Sequence, residues 1–164
     1  MAGKAMDVYL NDHLAGAMLG STLAKQIQAL NEGSALGKRM GSLAALIEED
    51  RQTLVGLMER MDTSKNPVKQ VAAWMAEKVS RAKLSGPASG GPEQGTFMAL
   101  ETLSLGVLGK VSLWKALKEV AEHYAPLRSM NLDELIERAQ AQHDALEHER
   151  IAASRRALGN ANSG

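Results

Sequence analysis

The chain has no cysteine and few aromatic residues, and these absences exclude several kinds of site. Without cysteine among its 164 residues, the protein forms no disulfide, has no thiolate nucleophile and builds no zinc–cysteine site. Two tryptophans, two tyrosines and one phenylalanine are too few for a platform on which nucleotide bases would stack.

The charges of the chain balance, with 19 Lys and Arg against 19 Asp and Glu. Nucleic-acid-binding proteins carry an excess of positive charge, so the sequence predicts no nucleic-acid partner. No apolar run approaches the roughly 20 residues that cross a bilayer as a helix. Charged residues also occur too early for a signal peptide. These features predict a soluble, cytoplasmic protein without a transmembrane segment.

What the sequence does contain is apolar residues that recur at spacings of three and four. Such stripes predict long amphipathic helices over about residues 5–32, 35–62, 96–124 and 132–158. A shorter amphipathic helix is predicted over 66–83, and its Trp74 face either packs on the other helices or docks a partner helix or a membrane surface. No segment alternates long enough to predict a strand.

Capping residues support these helix ends. Gly33 is predicted to be the C-cap of the first helix, and Ser34, which follows it, the N-cap of the second. Asn131 and Glu134 have the spacing of a capping box at the start of the last long helix.

The lengths of the connections predict how the helices pack. Short turns make two antiparallel hairpins, and the connection between them, residues 62–95, is far longer than a turn. It can span the roughly 40 Å of a long helix. The prediction is an all-α, up-down four-helix bundle over 1–158, with the shorter helix in a long crossover and a disordered tail over 159–164.

The two predicted hairpins carry a similar charged cluster. The segments IEEDRQTL and LEHERIAA align at an offset of 99 residues, so that Glu48 matches Glu147 and Arg51 matches Arg150. In the first helices, an offset of 89 residues matches Asp12 with Glu101. The pattern predicts one carboxylate on the first helix of each hairpin and a Glu-x-x-basic pair on the second.

The apolar stripes of the second helices bring charged residues to their centres. One stripe brings Asp50 or its neighbour Arg51 inward, and the other brings Glu149 or Arg150 inward. The pattern alone does not decide between the two neighbours in either helix.

With this pattern, residues 5–158 resemble a degenerate member of the ferritin-like superfamily. In that superfamily each hairpin supplies a Glu from its first helix and a Glu-x-x-His from its second, and together they hold two iron or manganese ions. The resemblance carries these roles to Asp12 and Glu101, and to Glu48 with Arg51 and Glu147 with Arg150. Arginine stands in place of both histidines, which implies that the dinuclear metal site has been lost.

Arginine has no lone pair for a metal, but it can neutralise carboxylates and donate two hydrogen bonds to one of them. The sequence therefore predicts a salt-bridge core in place of the metal site, formed by Asp12, Glu48, Arg51, Glu101, Glu147 and Arg150. The alternative is a pair of solvated helix faces with local ion pairs. Four helical glycines either let the backbones approach or make room for the guanidinium groups: Gly16, Gly20, Gly106 and Gly109.

A metal-binding alternative uses histidine. His13, Glu101, His143 and Glu147 would form a nitrogen and oxygen site for iron, manganese or zinc. The other two histidines, His123 and His148, are interpreted as surface or packing residues.

These residues predict a non-enzymatic bundle with a structural or protein-interaction role, stress-related by analogy with the superfamily alone. The partner would be an unidentified protein or a second copy in a homodimer. The alternative is a metal-binding oxidoreductase or ferroxidase. A third class, a bundle that binds a lipid or other cargo, requires an apolar cavity.

Overall fold

The computed structural model describes residues 3–63 and 91–159, and this part of the chain consists of helices and turns. The helices are α1, Lys4–Leu30; α2, Ala35–Arg60; α3, Pro92–Glu119; α4, Ala125–Arg128; and α5, Leu132–Gly159, with a 3-10 turn at Ala121–His123. The prediction of an all-α protein is confirmed for the described residues, whose five helices pack together. The predicted helix over 66–83 and the tail residues 160–164 lie outside them.

Both predicted N-caps are present, whereas the C-cap of α1 is Asn31 rather than the predicted Gly33. The Ser34 hydroxyl accepts a hydrogen bond from the backbone N–H of Gly37 at 3.0 Å, at the start of α2. The Asn131 side chain accepts from the backbone N–H of Glu134 at 3.2 Å and donates to the Glu134 carboxylate at 3.1 Å. These bonds satisfy backbone donors that have no partner within the helix. Gly33 has a φ of 80° in the turn before Ser34, a conformation that glycine adopts without strain.

The third long helix differs most from its predicted bounds. It begins at Pro92 rather than near residue 96, because proline at the first helical position already has the helical φ. It ends at Glu119 rather than near 124, and a 3-10 turn and the short α4 follow before α5 begins. The other long helices begin and end within two residues of the predicted positions, the usual uncertainty of helix ends.

Two apolar clusters fill the space between the helices. The first contains Leu10, Leu14, Leu54, Leu57, Met58, Met61, Val111, Leu113, Trp114, Leu117, Leu127, Leu132 and Ala139. The second contains Leu23, Ala24, Ile27, Leu36, Met40, Leu43, Ala44, Ile47, Phe97, Leu100, Leu103, Val107, Leu146 and Ala153. The short α4 contributes to the first cluster through Leu127, which is fully buried.

The membership of the clusters gives the direction of each helix. The first cluster joins the N-terminal halves of α1 and α5 to the C-terminal halves of α2 and α3, and the second cluster joins the opposite halves. The chain therefore reverses direction between α1 and α2, and again between α3 and α5. Helices α2 and α3 run in the same direction.

Among the described helices, α3 alone is long and apolar enough to cross a membrane. Its most apolar window of 18 residues has a mean hydropathy of 1.3, and 39% of that window is buried inside the protein. The core helix of a soluble protein meets the same criterion. Two charged residues of α3, Glu101 and Lys110, form ion pairs with neighbouring helices, as expected for a helix packed within a bundle.

Candidate functional site

A layer of polar side chains separates the two apolar clusters in the middle of the bundle. Asp50, Lys110 and Gln142 each lie between members of the two clusters on their own helix, and we call these three residues the polar layer. Asp50 and Gln142 are each only 3% exposed. The polar layer joins α2, α3 and α5, and therefore links the two hairpins.

Asp50 is the acceptor at the centre of the polar layer. The Lys110 ammonium donates to Asp50 Oδ2 at 2.5 Å and also donates to the Gln142 side-chain oxygen. The Gln142 amide donates to Asp50 Oδ2 at 2.9 Å. Arg138 donates to Asp50 Oδ1 through Nη2 and to the Glu49 carboxylate at 2.9 Å through Nη1. Both oxygens of the buried carboxylate are thus paired, as burial of a charge requires.

The charge of Lys110 depends on this pairing. Burial lowers the pKa of Lys110 below its ordinary value, because the charged amine has lost most of its contact with water. The attraction of Asp50 and the hydrogen bond to it act in the opposite direction, whereas the positive charge of Arg138 lowers the pKa further. Loss of the Asp50 charge would leave a buried cation without its main partner.

The structure decides which charged neighbours face the core. Asp50 and Glu149 are 3% and 6% exposed, whereas Arg51 and Arg150 are only half-buried. The two buried carboxylates lie on uninterrupted stripes with alternating spacings of three and four. On α2 the stripe is Met40, Leu43, Ile47, Asp50, Leu54, Leu57 and Met61; on α5 it is Leu132, Leu135, Ala139, Gln142, Leu146, Glu149 and Ala153. This spacing was a usable signal in the sequence for Asp50, Gln142 and Glu149.

The first hairpin contains a half-buried cluster between α1 and α2. Arg51 donates to both Glu48 oxygens, at 3.1 Å from Nε and 2.6 Å from Nη2. The buried Ser21 hydroxyl donates to Glu48 at 2.5 Å. The hydrogen bonds from Arg51 and then Ser21 lower the pKa of Glu48 to about 2, because they stabilise its ionised form.

The second hairpin repeats this cluster between α3 and α5. Arg150 donates to the two Glu147 oxygens from Nε and Nη2, each at 2.8 Å. The buried Ser104 hydroxyl donates to Glu147 at 2.5 Å. The hydrogen bonds from Arg150 and then Ser104 lower the pKa of Glu147 to about 2. Arg150 also donates to Glu101 at 3.2 Å.

The residues that match between α1 and α3, the first helices of the two hairpins, differ from the predicted ones. The offset of 89 residues would make Asp12 the counterpart of Glu101, but Asp12 is exposed and belongs to neither cluster. Ser21 and Ser104, which are 83 positions apart, make the same hydrogen bond in their respective hairpins. The prediction was wrong because it assumed that a carboxylate is repeated on the first helices of the two hairpins, whereas the repeated residue is a serine.

Two ion pairs connect α2 with α5, one within the polar layer and one towards the second apolar cluster. Arg39 of α2 pairs with Glu149 of α5, and Arg138 of α5 pairs with Asp50 of α2. The offset of 99 residues that relates Glu48 to Glu147 also relates these arginines and these carboxylates. The two second helices therefore exchange equivalent ion pairs, a reciprocal arrangement that the sequence interpretation missed.

The prediction of one salt-bridge core formed by six residues is therefore wrong in its arrangement. Five of the six form two separate clusters, one in each hairpin, and the sixth, Asp12, lies outside both. The reason is geometric: Arg51 and Arg150 lie one residue, or about 100°, away from the buried stripe. Their guanidinium groups consequently reach the rim, and Asp50 and Glu149 occupy the core.

The alternative metal-binding set is not assembled. Within residues 3–63 and 91–159, no three or more histidines or carboxylates come together to hold a metal ion. His13 packs edge to face on Tyr9, with ring centres 4.6 Å apart. Burial lowers the pKa of His13, and the charge of Asp12 acts in the opposite direction. Glu101 and Glu147 are engaged by Arg150 instead.

The remaining histidines do not alter this conclusion. The buried His143 Nδ1 lies 3.7 Å from an Asp144 oxygen, too far for a hydrogen bond, and it has no hydrogen-bond partner. His123 and His148 are exposed, which decides between the surface and packing roles left open by the sequence.

A cavity of about 200 Å³ adjoins the polar layer between α1, α2 and α3. Its lining includes Asp50 and Lys110 of the polar layer, together with His13 and Trp114. The remaining lining residues are Asp12, Gly16, Ala17, Gly20, Ile47, Arg51, Leu54, Leu103, Gly106, Val107, Gly109 and Leu113. The four glycines whose role was left open in the sequence are thus all in the lining of this cavity, two on α1 and two on α3.

No family model, curated protein or solved structure matches the chain.

Proposed function

We propose that the protein is a non-enzymatic ferritin-like bundle in which ion pairs replace the dinuclear metal centre. The observation that carries this proposal is the polar layer. Asp50 is a buried carboxylate in the middle of the bundle, and Lys110, Gln142 and Arg138 donate hydrogen bonds to it. Lys110 and Arg138 thus neutralise a carboxylate in the middle of the bundle without a metal ion.

The directions of the helices support the ferritin-like arrangement. Helices α1 and α2 form one antiparallel pair, α3 and α5 form another, and α2 and α3 run in the same direction. The chain between Arg60 and Pro92 is far longer than a turn. Two hairpins joined by one long connection are characteristic of ferritin-like bundles.

The two hairpin clusters support the absence of a metal centre. The resemblance gives Glu48 and Glu147 the role of metal ligands, but each accepts two hydrogen bonds from an arginine and one from a serine. A metal would have to displace these bonds and approach a permanent cation. Electrostatic repulsion and the loss of charge-assisted hydrogen bonds both oppose binding.

The interaction role is supported by the outer face of α3. Met98, Leu105 and Leu108 are 51%, 66% and 42% exposed, and all three lie on that face. Exposed apolar residues grouped on one surface are typical of protein contacts. We expect a second copy of the chain to bind there.

Analytical sedimentation tests the homodimer. We expect the unchanged protein to sediment as a dimer and Leu105→Glu to sediment as a monomer, because the charge would disrupt an apolar interface. If the unchanged protein is also a monomer, the homodimer is excluded.

The metal-free character can be tested by elemental analysis. The purified protein is incubated separately with iron(II), manganese(II) and zinc(II), passed through a desalting column and analysed. We expect far less than one ion per chain and an unchanged melting temperature, because an ion that binds only the folded state would raise it. One or two ions per chain that disappear in Glu147→Ala would contradict the proposal and favour the metal-binding alternative.

A further inference from the structure

The outer face of α3 carries a stripe of side chains that repeats every seven residues, and we call it the α3 stripe. Its members follow one another at alternating spacings of four and three residues: Met98, Glu101, Leu105, Leu108, Ser112, Lys115 and Glu119. Glu101 is partly exposed and the other members are exposed. A repeat of seven residues is the spacing at which two long helices pack against each other along their lengths.

Two opposite charges lie at equal distances from Leu108 in the α3 stripe. Glu101 precedes Leu108 by seven residues, and Lys115 follows it by seven. Seven residues are about two helical turns, or roughly 10 Å, so both charges lie on the same side of the helix as Leu108. The stripe therefore has an apolar centre at Leu105 and Leu108, with a carboxylate on one side of it and an ammonium group on the other.

Neither charge is fully compensated within the part of the chain that the structure describes. Glu101 shares Arg150 with Glu147, so two carboxylates face one guanidinium group. The Glu101 side chain is 40% exposed and can accept a further donor from outside the chain. Lys115 forms no ion pair with any described residue. A negative and a positive charge on one surface thus both lack a complete partner.

We propose that α3 packs against α3 of a second copy in the opposite direction, with Leu108 at the twofold axis and Glu101 of each copy paired with Lys115 of the other. This inference rests on the homodimer of the proposed function and adds its orientation and its specific contacts. In a twofold dimer, if one residue contacts a second, the second contacts the first across the axis. The interface then contains two equivalent ion pairs around a shared apolar centre.

The charges of the α3 stripe favour this direction over the parallel one. Parallel helices would bring Glu101 against Glu101 and Lys115 against Lys115, and like charges across an interface are unfavourable. Antiparallel helices bring opposite charges together at both places. Glu119, the last residue of α3, then faces Met98 of the other copy and meets no like charge.

Charge reversal tests the pairing in the full chain, with the dissociation constant of the dimer measured by sedimentation equilibrium. Glu101→Lys and Lys115→Glu should each raise this constant by roughly tenfold or more, because each brings like charges together twice, and the double variant should restore it. Reversal is needed because removing one exposed ion pair has little effect. In about 1 M salt, where charges are screened beyond about 3 Å, the differences between the variants should largely disappear.

Lys38→Glu is the control for these variants, because it reverses an exposed charge on α2 outside the α3 stripe and should leave the constant unchanged. Lys115→Glu keeps the test valid if Glu101→Lys disturbs Arg150. Equal constants for all variants, with Leu105→Glu still a monomer, would overturn the antiparallel pairing and leave the homodimer in place. A monomeric unchanged protein would overturn both.

Cysteine cross-linking tests the orientation independently, because the chain has no thiol of its own. Glu101→Cys and Lys115→Cys are mixed and oxidised, and the linked peptides are identified by mass. We expect a disulfide between positions 101 and 115, since only facing positions come close enough to form one. Leu108→Cys, at the axis, should link to a second copy of itself. Disulfides that join position 101 to 101 or 115 to 115 instead would overturn the proposal.

Discussion

The ammonium group of Lys110 on α3 lies 2.5 Å from a carboxylate oxygen of Asp50 on α2. The two helices run in the same direction and belong to different hairpins, so this ion pair crosses the bundle between its two apolar clusters. The Asp50 side chain is 2% exposed and that of Lys110 is 14% exposed. Asp50 is therefore the main compensation for the buried charge of Lys110, whereas Lys110 and Arg138 together compensate that of Asp50.

Lys110→Met should destabilise the protein strongly. It leaves the Asp50 carboxylate buried with fewer donors, and removing one partner of a buried pair typically costs about 3–5 kcal/mol. Urea unfolding followed by circular dichroism measures the free energy of unfolding. Lys115→Met is the matched control, because Lys115 lies on the same helix and is exposed; it should change stability by less than about 0.5 kcal/mol. Equal effects of the two substitutions would contradict the burial of the pair.

Arg51→Ala should cost less than Lys110→Met. Arg51 and Glu48 are 27% and 24% exposed in their side chains, so solvent screens their pairing and can replace the lost partner. The same unfolding experiment compares the two variants directly. A larger loss for Arg51→Ala would restore the original prediction of a buried arginine core.

Ser21→Ala and Ser104→Ala should destabilise the protein by similar amounts. Each buried hydroxyl donates to the equivalent glutamate of its hairpin at 2.5 Å, and a hydrogen bond to a charged group is worth about 1–3 kcal/mol. Ser112→Ala is the control, because its exposed hydroxyl donates only to a carbonyl of its own helix. If one of the two buried serines behaved like Ser112, the equivalence of the hairpins would be wrong.

The two hairpin glutamates should make stability depend on acid pH. Their pKa values are about 2 in the folded protein, against an ordinary value of 4.5. Their stabilising contribution is complete above about pH 4.5 and is lost as the pH falls towards 2. Over that range the two glutamates become protonated in the folded protein, and the protonated form lacks the favourable pairing with arginine. We expect the double variant Glu48→Gln, Glu147→Gln to show a shallower loss of stability over this range. Glu122→Gln, at an exposed position, is the control.

His13 should titrate below its ordinary pKa of 6.5 in an NMR experiment, because burial disfavours the imidazolium form. Asp12→Asn should lower the pKa of His13 further, since the Asp12 charge raises it. Asp144→Asn, a substitution remote in sequence, serves as the control and should leave the His13 midpoint unchanged. A rise of the midpoint in Asp12→Asn would contradict the assigned contact. Because the folded-state pKa is depressed, the contribution of His13 to stability is present above pH 6.5 and decreases below it.

The sequence predicted the long helices because their apolar stripes and caps act locally. Ser34 and Asn131 could be identified without any knowledge of tertiary structure, and both make the expected cap hydrogen bonds. The end of α3 was predicted less well, because its amphipathic pattern continues into the 3-10 turn that follows Glu119. A helical pattern does not show where the chain must turn to meet a neighbouring helix.

The site was only partly predictable for a different reason. Neighbouring residues on a helix point about 100° apart, so a broad apolar face did not decide between Asp50 and Arg51. A strict alternation of spacings of three and four residues along the buried stripe would have selected Asp50, Gln142 and Glu149 as the buried polar residues. Lys110 was missed because it interrupts an otherwise apolar face of α3, and only its distance from Asp50 explains its burial.

The most direct test of the account is a double-mutant cycle on Asp50 and Lys110, measured by urea unfolding. We expect Asp50→Leu and Lys110→Met each to be strongly destabilising, and the double variant to be more stable than the sum of the two losses implies, by about 1–3 kcal/mol. This result would show that the two buried charges compensate each other within the polar layer. Additive losses would contradict the interpretation that Asp50 and Lys110 stabilise the middle of the bundle as a buried ion pair.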